Sequence, residues 1–470
     1  MRESLNHLPL FGETKPTISR GRFLSLAALS ALALQRPLRA AKAEKILVIG
    51  AGMAGLAAAW TLKAAGHTVT VIEGRTRIGG RIHTSQALGA PLDLGAAWIH
   101  GSKNALHPMV HLAAQTGSRM VETDFESMRL YTQRSNPGEA NEIAWDPLED
   151  AYEEVLADLF KERDRLQEKR KDRSVGKYLR RLIANTDLDP GNQRALHWWF
   201  NTEYGVELAA NLDDLSLRSL DEDLAFGGDE SILPQGYSAL IQYLAKRVEI
   251  QTGRTVRSIA LKKNQVHVMT DRGEFTADRA IVTLPLGVLK SGRVKFSPNL
   301  SDRKQQAIQK LGFGALEKVA LRFPKRFWPN DIFQFGYVPA AGQSTLVREI
   351  YNYQPYTRQP ILVGLAGGDQ ARQLQKNKRA AVADMLAVLR EIFGNSIPQP
   401  KGSLVTNWVS DPFAQGAYSH VPVGAGLGYS RILAEAIDDR ILFAGEHTNA
   451  WYPGTTHGAY LSGLAAAESI

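Results

Sequence analysis

Gly50, Gly52 and Gly55 spell G-x-G-x-x-G, and an acid, Glu73, follows downstream. Residues of these types at this spacing suit a pyrophosphate and a ribose. Gly50 permits a tight turn, Gly52 lets the backbone approach phosphates, and Gly55 lets helix and strand pack closely. A helix starting there offers unpaired N–H groups and the positive end of a dipole to an anion. Glu73 stands where an acid accepts hydrogen bonds from ribose hydroxyls. The pattern predicts dinucleotide binding.

The elements that must hold these residues are legible around them. Residues 46–49 form a continuous apolar run, as in a strand buried on both faces. A small-residue helix is expected from about Ala54 to Ala65, ended by Gly66, and a second strand over 68–72 leads to Glu73. Near the other end, an apolar strand over 441–444 runs into Gly445-Glu446, and Thr455-Thr456-His457-Gly458 opens a last helix. These elements predict an α/β chain with a Rossmann-like domain. Residues 151–182 read as one charged helix, with Tyr152, Val155, Leu156, Leu159 and Phe160 on one face.

Gly79-Gly80-Arg81 follows Glu73 closely, and "LDLGAAWIHG" occupies residues 92–101. "VTLPLGVLK" (282–290), "LGFGALEKVALRFPKRFW" (311–328) and "NWVSDPFAQGAYSHVPVG" (407–424) come next. With the C-terminal stretch these blocks resemble, in order, the flavin-containing amine oxidase family of monoamine oxidases, polyamine oxidases and histone lysine demethylases. The resemblance covers about residues 44–470. It implies a discontinuous FAD-binding domain over 44–105, 232–290 and 403–470, and a discontinuous α+β substrate-binding domain over 106–231 and 291–402. FAD would be held non-covalently, with Ala54, Arg75, Gly79, Gly80, Arg81, Gly95, Ala96, Ala97, Trp98, Val256 and Trp408 along it. Gly445 and Glu446 would meet its sugar chain, and Thr455 and Thr456 would aim the last helix at the flavin ring. There a positive dipole end stabilises negative charge on the reduced ring.

The same resemblance assigns the chemistry. Lys318 takes the place of the family's active-site lysine, which holds a water against the reactive flavin nitrogen. Tyr418 would form one wall of the cavity in front of the flavin. Monoamine oxidases place a second aromatic opposite; Gly454 and Thr455 stand there in this sequence, so a wider cavity is expected. His100 occupies a place that faces the substrate tunnel in polyamine oxidases, where it would bind or deprotonate an amine. The implied reaction takes a hydride from the carbon beside an uncharged amine nitrogen. The imine is hydrolysed to an aldehyde, and oxygen becomes hydrogen peroxide.

A polyamine or other long primary or secondary amine is the first substrate expectation. Glu203, and Asp221 and Asp223 within "SLDEDLAFGGDE" (219–230), would pair with its distal ammonium groups. A monoamine or an L-amino acid is the alternative. Amino-acid oxidases of the superfamily clamp the carboxylate with an arginine after the Gly-Ala turn, a place filled here by Trp98-Ile99-His100. Histone demethylation is not expected, because the resemblance does not extend to the demethylases' partner-binding domain or coiled-coil insertion. A FAD protein of another class, a desaturase-like isomerase or an assembly chaperone, would share the first glycine turn and typically lack the Lys318 and Tyr418 blocks together.

Composition narrows the rest. The 470-residue chain has 44% hydrophobic residues and no cysteine, so disulfides, thiolate metal sites and a cysteinyl flavin are excluded. No metal is expected. Residues 1–43 read as an export signal, with Arg20 and Arg22, an apolar run over 23–34, then Ala41-Lys42-Ala43. The run is too short to span a bilayer. "SRGRFL" is like a twin-arginine signal interrupted by Gly21, and the mature protein is expected to be exported. Residues 1–43 hold seven Lys/Arg and two Asp/Glu, so the net charge of +8 falls to about +3 without them. A nucleic-acid partner thereby loses its main support.

Overall fold

Alternation along the first strand lets one buried sheet serve two cores. The computed structural model describes residues 43–133 and 142–470; apart from Ala43, the expected leader lies outside the described residues. Strands β1 (Lys45–Ile49), β2 (Thr68–Ile72), β3 (Glu249–Gln251), β4 (Arg279–Val282) and β5 (Ile441–Phe443) form an all-parallel sheet in the order β5-β4-β1-β2-β3. On one face Ile46, Val48, Val71 and Ile281 pack against helices α1 (Met53–Ala64) and α2 (Thr456–Glu468). On the other, Leu47, Ile49 and Val282 pack on a four-stranded sheet built from Val256–Lys262 and its neighbours. With both faces covered, an unbroken apolar run is what such a strand requires. Helices α1 and α2 cross closely: a Cβ on Gly463 would stand 2.1 Å from the Ala54 carbonyl oxygen.

A six-stranded sheet lies elsewhere in the same compact unit, in the order Gly402–Val405, Leu316–Arg322, Ile361–Gly367, Glu349–Asn352, Gln334–Val338, Met128–Thr132. One face carries Val319 and Leu321 against helix Lys378–Phe393. The other carries Leu316, Ala320, Leu365 and Tyr351 against Trp98, Leu88 and Leu92. Lys318 alternates onto this second face. Helices Asp146–Glu168, Val175–Ala184 and Pro190–Phe200 share a further core, and the last continues as a π-helix, Asn201–Val206. Among the described residues no helix is long and apolar enough to cross a membrane.

One expectation is corrected. The single charged helix over 151–182 is two helices, broken where Arg170 turns to φ 51° and Ser174 caps the second through Lys177 N. Asp172 anchors the break by accepting from Ser216 Oγ and Gly424 N. Next to the boundaries expected at 105 and 403, helix Pro108–Thr116 packs into the core of the parallel sheet, and Gly402–Val405 is an edge of the six-stranded sheet.

Candidate active site

The first glycine turn has the shape its residues demand. Gly50 sits at φ 111°, where a Cβ would lie 2.5 Å from Thr283 Oγ1, and a Cβ on Gly55 would lie 2.0 Å from the Gly50 carbonyl oxygen. Gly52 is different: nothing stands within 4 Å of its Cβ position. Open space therefore faces the N-terminus of α1, where a pyrophosphate needs it. Gly79 and Gly80 close that space from the side. Gly79 N donates to Ala51 O at 2.8 Å, and a Cβ on Gly80 would lie 3.5 Å from Gly52 Cα.

Glu73 is 7% exposed and braces the turn, accepting from Ala51 N and from Arg75 N, each at 2.8 Å. The chain just before Val256 closes beside it, through Arg254 N to Glu73 O at 2.8 Å. Two expected cofactor residues are engaged within the protein. Arg75 donates to Asp411 at 2.5 Å and lies 5.4 Å from the Phe413 ring centre. Arg81 donates to Glu446 Oε1 at 2.8 Å and to Ala417 O at 2.7 Å. Glu446, 3% exposed, accepts at its other oxygen from Ser419 Oγ (2.5 Å) and Gly454 N (3.0 Å). Burial would raise this carboxyl; Arg81, His447 and Ser419 outweigh it and hold it below the usual range.

Lys318 links the two sheets. It is 4% exposed, and its Nζ donates to Gly95 O at 2.7 Å and Asp93 O at 3.0 Å, 5.5 Å from the Trp98 ring centre. Burial lowers its ammonium to about 8, against the pull of Asp93. The Gly95 turn is tight on Arg81, since Ala96 N donates to Arg81 O; Ala97 is buried behind it. Trp408 Nε1 donates to Leu94 O at 2.9 Å, so this ring braces the same turn. Asp93 accepts from Tyr237 N at 3.0 Å, and Tyr237 OH meets Thr456 Oγ1 at 2.7 Å. That chain ties the lysine's anchor to the start of α2, which Thr455 caps through Gly458 N at 2.9 Å.

Strand Trp98–His100 pairs with Glu230–Ile232 and sets His100 Nδ1 2.6 Å from Glu230 Oε2. The His100 side chain is 40% exposed, and its ring is partly desolvated. Desolvation pulls its pKa down, but Glu230, with Glu207 behind, lifts it to about 9. The pair favours the imidazolium, so the base role expected of His100 does not follow from this geometry. Tyr418 OH donates to Glu207 O at 2.5 Å, and its ring is 3.3 Å from the Cβ position of Gly454, so the Gly454 backbone packs directly against it. Glu207, whose carboxyl is raised by burial, is a site residue the sequence did not reveal. It follows the π-helix, whose wider turn rotates every later side chain off the helical period.

Glu203, Asp221 and Asp223 form a second acidic group. Glu203 accepts from Tyr152 OH, and burial then Asp221 raise it to about 7; burial raises Asp223 to about 6. Among the described residues no hydrogen bond or ion pair joins this group to His100 or Tyr418. The acid brought to His100 is Glu230 instead. His457 packs in a ring cluster with His107 (4.7 Å), Tyr452 (5.0 Å) and Phe226 (5.3 Å).

A glycine-turn cradle over a helix end, facing a buried lysine and an acid-lined wall, defines an oxidoreductase-type dinucleotide fold. Comparison with known proteins names the family. The family model for flavin containing amine oxidoreductase matches residues 53–470, and the chain belongs to that family. It is 34% identical over 441 residues to Polyamine oxidase 2 of Arabidopsis thaliana, covering 91% of this chain and 88% of that protein. It is 34% identical over 466 residues to Protein FLOWERING LOCUS D and 36% over 446 residues to Lysine-specific histone demethylase 1 homolog 1, both of Arabidopsis thaliana. Those matches take in 95% and 90% of this chain but 58% and 52% of the relatives, so the chain spans about half their length. A solved structure of putrescine oxidase redesigned at its cofactor site superposes with a TM-score of 0.73 at 20% identity, over 90% of this chain and 98% of that one. The fold is thus that of a flavin amine oxidase, and FAD is the cofactor that the open cradle at Gly52 fits.

Proposed function

We propose that the protein oxidises a diamine, polyamine or other long amine. The observation that carries this is the wall on which Tyr418, Glu207, Glu230 and His100 meet. The Glu207 carboxyl, raised by burial, regains its charge beside an ammonium, so such a wall favours a cationic ligand. The polyamine oxidase and putrescine oxidase relatives support the same class.

FAD, when bound, supplies acceptance of a hydride from the carbon beside the amine nitrogen and transfer of the electrons to oxygen. The chain's residues do the rest. The α1 N-terminus with Gly52, Gly79 and Gly80 cradles the diphosphate. Arg81 and Glu446 lock the turn that carries Gly95 to the C-terminal segment. Lys318, tethered through Nζ, keeps an ammonium against that turn and orients water for imine hydrolysis to the aldehyde. Tyr418 lines the approach, and Glu207 holds the substrate's positive charge.

The test is anaerobic mixing of the purified yellow protein with spermine, spermidine, an N-acetylated polyamine, putrescine, a phenylethylamine, a methylated lysine peptide and L-amino acids. Fast bleaching of the flavin band by a di- or polyamine is the expected result. Bleaching by amino acids alone, or by the peptide alone, overturns the substrate class, and no bleaching overturns amine oxidation itself.

A further inference from the structure

Lys318 is held at both ends, and the two holds belong to one ring of contacts. At its head, Nζ donates to Gly95 O at 2.7 Å and to Asp93 O at 3.0 Å. At its root, Lys318 N donates to Thr406 Oγ1 at 2.7 Å, and Thr406 N returns to Lys318 O at 3.0 Å. In the same segment Trp408 Nε1 reaches Leu94 O, beside Gly95, at 2.9 Å. The turn that receives the ammonium is thus braced by the segment that grips the lysine's backbone.

Glu317 closes this ring from the far side of the strand. Alternation puts it on the face of Val319 and Leu321, opposite Lys318. It is 0% exposed. Oε2 accepts from Thr406 Oγ1 at 2.5 Å, and Oε1 accepts from Val409 N at 2.9 Å. Burial raises this carboxyl, and the bonds from Thr406 and Val409 oppose the rise, with Lys378 adding to them. A buried acid costs stability, and an apolar side chain would suit the Val319 face better. What an acid supplies there is two acceptors and no donor. The Thr406 hydroxyl gives its proton to Glu317, which leaves its lone pair for Lys318 N. A glutamine would turn an NH2 group toward one of the two donors.

We propose that Glu317 is the positioning residue of Lys318: it locks the segment 406–409 to the lysine's strand, so that Trp408 holds the Gly95 turn where Nζ finds its acceptors. Glu317 acts through the lysine, from the opposite face of the sheet. Without it, strand and turn lose their common brace, and the ammonium loses carbonyls that favour its charged form. This rests on the part in imine hydrolysis proposed for Lys318 above.

The experiment starts with a measurement that needs no turnover. Acetic anhydride labels lysines, and mass spectrometry reads each site in the flavin-loaded wild type and in Glu317→Leu. Lys304 is the internal control: it is as buried, at 3% exposure, and its Nζ is held by the carbonyls of Ile432, Leu433 and Glu435. Labelling at neutral pH should quicken about tenfold at Lys318, the loss of one hydrogen bond to a charged group, and stay as in wild type at Lys304. Equal quickening at both lysines, or none at Lys318, overturns the assignment. Single-turnover aldehyde release, with the fastest amine of the panel above, then tests the function. Glu317→Leu should slow it about tenfold, as expected of a misplaced group. In a Lys318→Met background the same substitution should change it less than about twofold, because the two residues act as one unit. Bound flavin per chain reports folding. If Glu317→Leu does not fold, Thr406→Val breaks the same ring and should show the same pattern, with Thr406→Ser restoring most of the loss. Losses that add in the double variant overturn the positioning role and leave that of Lys318 standing. Wild-type aldehyde release in Lys318→Met overturns both.

Discussion

The Nζ of Lys318 and the carbonyl oxygen of Gly95 lie 2.7 Å apart, and only glycine can build that turn, since a Cβ there would stand 1.7 Å from Arg81 O. The lysine is fixed by backbone acceptors rather than by a carboxylate. Its ammonium, lowered to about 8 by burial, therefore titrates near working pH. Lys318→Met keeps the stem and deletes the charge. The variant is expected to retain flavin and lose roughly 100-fold in turnover. In the wild type the cation-assisted rate falls as pH rises through about 8, and in the variant it is flat there. Single-turnover aldehyde release across that range checks both statements, and a sloping variant profile rejects the assignment to Lys318.

The glycines of the first turn separate cofactor binding from folding. A Cβ on Gly55 meets the Gly50 carbonyl at 2.0 Å, whereas one on Gly52 meets nothing. Gly55→Ala should destabilise the fold by about 2 kcal/mol or more, by overpacking a backbone contact. Gly52→Ala should leave the melting temperature of the flavin-free protein unchanged while flavin content drops, because its methyl occupies the cradle. Flavin content and melting curves of the two variants, taken together, decide it; full flavin loading of Gly52→Ala would place the diphosphate elsewhere.

Glu446 and Arg81 predict an acid sensitivity. The folded carboxyl is held below its ordinary value, so its stabilisation is present at neutral pH and is lost as pH falls through the carboxylate range. Glu446→Gln leaves Arg81 without its counter-charge at a mostly buried site and should cost about 3 kcal/mol at neutral pH. The gap between variant and wild type should close below about pH 4.5. Thermal melts at several pH values measure that gap directly.

Much of this was legible in the sequence where local pattern and chemistry coincide. The strand Ile46–Ile49, the turn Gly50-x-Gly52 and the anchor Glu73 lie in one continuous unit, so spacing alone carries the geometry. Lys318 and Tyr418 could be placed only through resemblance, because their partners, Gly95 and Glu207, are more than two hundred residues away in the chain. Glu207 stayed hidden behind the π-helix, which no 3.6-residue period anticipates. The charged helix misread at 169–174 shows the converse, since periodicity continued across a break that Asp172 makes from outside the helix.

Glu203 gives the opposite sign to Glu446. Its folded carboxyl is raised by burial and by Asp221 to about 7, whereas an unfolded glutamate titrates near 4.5. Between those values the folded chain holds a proton that the unfolded chain has released, so stability falls as pH rises through the window and stays lower above it. Glu203→Gln keeps an acceptor for Tyr152 OH and removes the charge. It should raise stability by about 1–2 kcal/mol above pH 7 and change nothing below the ordinary glutamate range. Denaturant unfolding at the two ends of that window reads the difference.

The His100–Glu230 pair makes the last prediction. Nδ1 and Oε2 are 2.6 Å apart, and the pair carries one positive and one negative charge up to about pH 9. Its net charge is therefore zero across the range in which an amine binds. In Glu230→Gln the counter-charge is gone, and desolvation, the largest influence on this imidazole, is left to push its pKa down. At neutral pH the variant pair is again net neutral, His100 now being uncharged. Below about 6.5 the imidazole gains a proton that Glu230 no longer offsets. A cation without its Glu230 partner then shares the wall with a substrate that is itself cationic, and the two repel. The KM for a diamine should be close to wild type near neutral pH and should rise steeply for Glu230→Gln alone as the pH falls toward the acid side. His100→Gln should abolish that rise in the double variant. If the single variant shows no acid-side increase, His100 does not face the bound amine, and the charge balance of the wall has to be assigned to Glu207 instead.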